Sequence, residues 1–224
     1  MINDEKEKRS GSPSTRTIIM VFAGSALFAG AILFPVLYFL LKPEPAIPYY
    51  LQGNPEGVRE LSQPRAVSDF TLPATTGDDL SLSELRGQHL LVFFGYTHCP
   101  DICMLTLAEV RRVHELLGDT ARDLQVVFIS VDPARDDPER LREFFVPFGV
   151  QDYTIGMTGD DVTLQRITPD YSLYYQRHED EGDNYSVDHT ASLYYITPTG
   201  ELDTIFSYGT RPEIIADHLQ EQLG

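Results

Sequence analysis

The two cysteines of the chain, Cys99 and Cys103, both lie in the stretch YTHCPDIC, residues 96–103. Three residues separate them, so they stand at i and i+4. If a helix begins near Pro100, both sulfurs come to one side of its first turn. A helix N-terminus stabilises anions, so thiolates should form there more readily than at the reference thiol pKa of about 8.5. Two thiolates one turn apart can either oxidise to a disulfide or bind a soft metal, Cu(I) by preference and zinc as an alternative. Two sulfurs alone rarely complete a metal site, which directs attention to the six histidines. His98 adjoins Cys99, but its side chain leaves the backbone in another direction, and it reads as a partly exposed loop residue. His89, His114, His178 and His218 fall on polar faces or in a loop. His189 differs, because it sits in SVDHTASLYYI just before an apolar run.

The elements that must position these groups are legible in the hydrophobic pattern. HLLVFFGY (89–96) and LQVVFISV (124–131) are continuous apolar runs, as expected of strands buried on both faces. Between them, Ile102, Leu105, Val110, Val113 and Leu117 recur at helical spacing, with Gly118 as a stop. DDPERLREFF (136–145) begins a helix capped by Asp137, with Pro138 at its first position. YTIGM (153–157) reads as a short strand and residues 160–167 as a helix. SLYYIT (192–197), a PTG turn and ELDTIFSY (201–208) make a hairpin. TRPEIIADHLQEQL (210–223) closes the chain as a helix with Thr210 as its expected cap.

Strand–helix–strand–helix, then hairpin, then helix is the order of a thioredoxin-like α/β sandwich. The cysteines lie where the first long strand turns into a helix, the usual redox position of such folds. The loop entering the next core strand faces that helix N-terminus. It normally carries a proline; here His189 occupies the neighbourhood. Three aspartates are candidates for supporting roles: Asp101 between the cysteines, Asp188 beside His189 and Asp132 at the end of the second buried strand.

The rest of the chain says where this domain works. Residues 17–41, TIIMVFAGSALFAGAILFPVLYFLL, carry no charge, and about 20 apolar residues suffice to cross a bilayer as a helix. The run is longer than a signal-peptide core, and KPEPAIPYY after it is a poor cleavage site. Lys6, Lys8, Arg9 and Arg16 precede the span, and only Lys42 follows it closely. The N-terminus is therefore expected in the cytoplasm and the domain outside. Acidic residues in the first sixteen argue against a mitochondrial transit peptide, so the outer side of a bacterial plasma membrane, the periplasm, is the expected location. From Lys42 on there are 13 basic and 31 acidic residues, which argues against nucleic acid and anionic lipid as partners. Pro43, Pro45, Pro48, Pro55 and Pro64 suggest an extended tether.

FFGYTHCPDIC, SVDPARDDPERLREF and YSVDHTASLYYITPTGEL resemble the three signature segments of the Sco/SenC family. The resemblance covers roughly residues 66–223. It implies a membrane-anchored, thioredoxin-like protein that assembles the CuA copper centre of cytochrome c oxidase. Carried over residue by residue, the family's copper ligands are Cys99, Cys103 and His189. Met104 departs from the pattern, since a second proline often follows the cysteines, and the acidic stretch 178–183 reads as a variable loop. The implied organisation is a cytoplasmic head (1–16), a transmembrane anchor (17–41), an extended linker (42–65) and a thioredoxin-like copper-binding domain (66–224).

Three functions are compatible with these residues. One is a copper metallochaperone that carries one copper, as Cu(I) or Cu(II), from a periplasmic donor to the CuA-bearing oxidase subunit, with no turnover of a small substrate. Cu(II) would call for a fourth ligand, water or a carboxylate. The second is a thiol–disulfide reductase, with Cys99 and Cys103 as its redox pair, that keeps the CuA cysteines reduced. The third is a peroxidase or redox sensor. A copper site needs His189, whereas thiol exchange does not.

Overall fold

The computed structural model describes residues 56–178 and 185–224. The expected head, the anchor, most of the linker and residues 179–183 of the acidic stretch lie outside the described residues. Among the described residues no helix is long and apolar enough to cross a membrane.

The architecture is a six-stranded mixed sheet. In chain order the strands are β1 (Val58–Ala66), β2 (Thr71–Pro73), β3 (Asp79–Ser81), β4 (His89–Gly95), β5 (Leu124–Ser130), β6 (Thr154–Met157), β7 (Tyr175–Arg177), β8 (Val187–His189), β9 (Ser192–Ile196) and β10 (Glu201–Ser207). The helices are α1 (Ile102–Leu117), α2 (Pro138–Phe145), α3 (Asp161–Ile167) and α4 (Pro212–Leu223). The main sheet runs β1-β10-β9-β4-β5-β6, while β2–β3 and β7–β8 form separate two-stranded ribbons. β4, β5 and β6 are parallel, and β9 lies antiparallel to β4. This is the expected thioredoxin-like α/β arrangement.

The apolar runs of β4 and β5 are buried on both faces because alternate side chains feed two cores. Leu91, Phe93, Val126 and Phe128 pack with Leu107, Val110 and Val113 of α1 and with Ile215 and Leu219 of α4. Leu90, Val92, Phe94, Val127 and Ile129 pack on the other side with Leu164 and Ile167 of α3, Tyr171 and Tyr194. Both cysteines join this second core. Each fully buried Leu, Val or Phe contributes roughly 1.5–3 kcal/mol, so the strand leading into the cysteine loop is firmly anchored.

Three expectations need correction. The linker does not extend to residue 65, because Val58–Ala66 is an edge strand paired antiparallel with β10. Its side chains are mostly exposed, which removed the hydrophobic signal. Thr210 does not cap α4. Pro212 occupies the first turn and Arg211 the cap position, while the Thr210 hydroxyl donates to the Ser207 carbonyl at 2.7 Å. The helix α1 begins at Ile102 rather than near Pro100, so Cys99 precedes it. Asp137 does cap α2, accepting the Arg140 N–H at 2.7 Å.

Candidate metal and thiol site

Cys99 and Cys103 are both free thiols. Cys103 lies on the first turn of α1 and is 1% exposed; Cys99 is 8% exposed and lines a cleft of about 480 Å³. The backbone N–H of Cys103 donates to the Cys99 sulfur at 3.4 Å. Cys99 therefore does at the start of α1 what a capping oxygen does elsewhere, accepting an otherwise unpartnered helix N–H. Asp101 occupies the nominal cap position but makes no side-chain cap bond, and it is exposed.

The two thiols are held in opposite states. The hydrogen bond from Cys103 lowers the pKa of Cys99 to about 5; burial opposes it, and backbone N–H groups and His189 add to the lowering. Cys103 is pushed up, first by donating to Cys99 and then by burial. A thiolate at Cys99 accepting from a thiol at Cys103 is the arrangement these shifts describe.

His189 completes the group from the other side. It ends β8, whose register pairs it with Tyr175 of β7. Its Nε2 lies 3.7 Å from the Cys103 sulfur and its Nδ1 lies 3.1 Å from the Val187 carbonyl. A carbonyl can only accept, so the ring hydrogen is assigned to Nδ1. In the neutral ring, Nε2 then presents a lone pair toward the sulfurs. Tyr96 fixes the ring further, with its own ring edge-on to His189 at 5.7 Å between centroids, and its hydroxyl accepts the Val187 N–H at 3.2 Å.

The other predicted residues fall elsewhere. His98 is exposed and bonds Thr97; His89, His114 and His218 lie against Tyr195, Tyr153 and Phe206. Asp188 pairs with His178 at 2.9 Å and so holds the hairpin rather than the His189 ring, which the Val187 carbonyl orients. Asp132 is completely buried beside Arg135. Among the described residues no three His, Cys, Asp or Glu side chains are already gathered as a metal-binding group. Cys103 and His189 are in contact, and Cys99 is joined to them through the Cys103 backbone. Two soft sulfurs and an imidazole nitrogen, with Cys99 and His189 lining the cleft and Cys103 buried behind them, are nevertheless a donor set that fits Cu(I). Sequence reasoning missed Tyr96: only the fold shows that the residue after the buried strand meets the histidine.

The chain is similar in sequence and fold to several known proteins. The SCO1/SenC family profile matches residues 58–224. The human Protein SCO1 homolog, mitochondrial, is 31% identical over 215 residues, covering 94% of this chain and 67% of the human protein. The structure of Bradyrhizobium japonicum ScoI with copper bound shares 30% identity at a TM-score of 0.63, covering 70% of this chain and 99% of that one. Yeast Sco1 with copper bound shares 26% identity at a TM-score of 0.63, covering 71% of this chain and 89% of that one.

Proposed function

Because the chain belongs to the SCO1/SenC family, we propose that it is a copper chaperone, anchored in the membrane through residues 17–41, that delivers copper to the CuA site of cytochrome c oxidase. Copper is its cargo. Cys99, Cys103 and His189 hold one ion, and the domain works on the periplasmic side of a bacterial plasma membrane, receiving copper from a donor there. The recipient is the CuA-bearing oxidase subunit.

One observation carries the reading: the His189 Nε2 faces the Cys103 sulfur at 3.7 Å while Nδ1 is engaged by the Val187 backbone carbonyl. An oriented second nitrogen of this kind is what metal-ligating histidines have, and thiol exchange has no use for it. Copper in the related ScoI of Bradyrhizobium japonicum supports the same choice of cargo. The residues would act in sequence. Cys99, reachable from the cleft and already ionised, meets the ion first. Cys103 would give up its proton to solvent water as its sulfur binds, and His189 would close the set. Release runs in reverse, and the recipient's thiolates compete for the ion.

The test is copper quantification on the reduced domain. One copper per domain is expected, with tight Cu(I) retention lost in Cys99→Ser or Cys103→Ser because a hard ligand replaces a soft one. His189→Ala should weaken binding and His98→Ala should not. Loss in His98→Ala with retention in His189→Ala would reject the site.

A second reading is a thiol–disulfide reductase that keeps the CuA cysteines reduced. It is favoured by the asymmetry of the two sulfurs. Cys99 borders the cleft and is ionised, whereas Cys103 is buried behind it. That is the disposition of an attacking and a resolving cysteine.

A further inference from the structure

The copper ligands lie on two segments far apart in the chain, the β4–α1 loop with the first turn of α1 and the β7–β8 hairpin, and both are tied to a third segment that bears no ligand. This is the β5–α2 loop in SVDPARD, residues 130–136. Its two buried carboxylates divide the work. The Asp136 carboxylate accepts three donors: the Thr97 N–H at 3.0 Å, the Thr97 hydroxyl at 2.6 Å and the Ser130 hydroxyl at 2.6 Å. Thr97 lies two residues before Cys99, so Asp136 fixes the turn that presents the cysteine. Burial raises the pKa of Asp136 while these donors counter it, as expected of an acid kept where it is by its partners.

Asp132 faces the other way. One oxygen accepts the Tyr185 hydroxyl and the other accepts Arg135 Nε at 2.5 Å. The Arg135 guanidinium lies over the Tyr185 ring at 3.5 Å and reaches the Tyr96 ring at 5.8 Å. Arg177, at the end of β7, donates to the Val131 carbonyl at 3.0 and 3.2 Å and approaches Asp132 at 3.9 Å. Tyr185 and Arg177 therefore fasten both strands of the ribbon that carries His189, and Tyr96 links the same group to the ring itself. A carboxylate removed from water costs several kcal/mol unless well partnered. Two of them four positions apart, each pointing at a different ligand-bearing segment, call for a function.

We propose that Asp136 and Asp132 are positioning residues for the copper site, Asp136 setting Cys99 through Thr97 and Asp132 setting His189 through Tyr185 and Arg135. The proposal rests on Cys99, Cys103 and His189 being the ligands. The loop acts as a spacer that holds sulfur and nitrogen at the separation copper requires. Partners of this kind are typically worth roughly 10–100-fold in metal affinity.

The decisive experiment is a double-mutant cycle on Cu(I) affinity, measured by competition with a chromophoric Cu(I) chelator. Tyr185→Phe removes only the hydroxyl that Asp132 accepts and keeps the ring on Arg135. It should weaken copper about 10-fold in the otherwise unaltered protein, yet have no effect in a His189→Ala background, where copper rests on the two sulfurs. Asp136→Asn should weaken copper in both backgrounds. In copper-free protein, hydrogen exchange read by mass spectrometry should rise in residues 185–190 for Tyr185→Phe and in 96–103 for Asp136→Asn. An equal loss for Tyr185→Phe in both backgrounds, or no loss in either, overturns the assignment. If His189→Ala itself leaves copper affinity unchanged, the ligand set is wrong. Should Asp136→Asn fail to fold, the Tyr185→Phe cycle decides alone.

Discussion

The sulfur of Cys103 rests on the backbone of Gly95. A Cβ at Gly95 would come within 2.9 Å of that sulfur and equally within 2.9 Å of the Phe128 ring. Only glycine leaves room at the end of β4 for the thiol to tuck under the helix start. Gly95→Ala should therefore cost about 1–3 kcal/mol of stability by overpacking. It should also push Cys103 away from His189 and weaken copper more than its loss of stability explains. Equilibrium urea unfolding and chelator competition on the same samples check both. Unchanged copper affinity in a folded Gly95→Ala protein would show that the sulfur moves freely.

The two thiols should differ sharply toward alkylating reagents. The thiolate is the reactive form, so raising pH raises the rate. With its pKa near 5, Cys99 should react with iodoacetamide at a rate that climbs through about pH 5 and is level by pH 7. Cys103, pushed well up, should stay unreactive across that range. Cys103→Ala deletes the first cause of the lowering at Cys99, so the midpoint should move upward. Mass spectrometry of the alkylated peptide reads both, and a Cys99 midpoint near 8.5 would contradict the described pairing.

Replacing the cap of α2 provides a contrast. Asp137→Ala should lower stability by ~1 kcal/mol, visible as a lower melting temperature. Asp137 lies next to Asp136, but its carboxylate accepts from the start of α2, so copper affinity should stay within twofold.

Chaperone and reductase readings separate on one variant. His189→Ala should lose copper delivery but keep most of its ability to reduce a disulfide in a recipient peptide. Cells carrying only this variant should then fail to assemble active oxidase as badly as a Cys99→Ser strain. If they assemble it at ordinary copper supply, with the variant present at normal level, the reductase role is the essential one.

Topology has its own measurement. A reporter active only outside the cytoplasm, fused after Gly224, should be active because basic residues cluster before residue 17. A cytoplasmic reporter lighting up at the same junction would reverse the orientation.

The strands and helices that carry the site were legible because their apolar patterns are strong. β4 and β5 are buried on both faces, and α1 repeats at helical spacing. Cys99, Cys103 and His189 were legible as chemistry, since few residue types serve as soft ligands. The helix α1 begins at Ile102, where its apolar spacing begins; what the spacing could not show is that the Cys99 sulfur, not a carboxylate or a hydroxyl, accepts from its first turn. The strand β1 was invisible because only Val58 and Leu61 of its nine residues contact a core. Asp132, Asp136, Arg135 and Tyr185 sit in motifs that were noticed, but their tasks were not. A buried carboxylate and a turn carboxylate look alike until the chain brings Thr97 or Tyr185 to them.

The contact between Cys103 and His189 joins positions 86 residues apart. An ion held by both acts as a removable rivet through the middle of the domain, closing a loop that contains β5, α2, β6 and α3. Ligand binding stabilises the folded state by mass action, by about 4.1 kcal/mol when free ligand stands at 1,000 times its dissociation constant. Loaded and empty forms should thus differ in lifetime as well as in cargo. On the proposed function, the copper-starved protein would be the more digestible substrate for a protease, so its abundance would follow the metal it carries without any change in its synthesis.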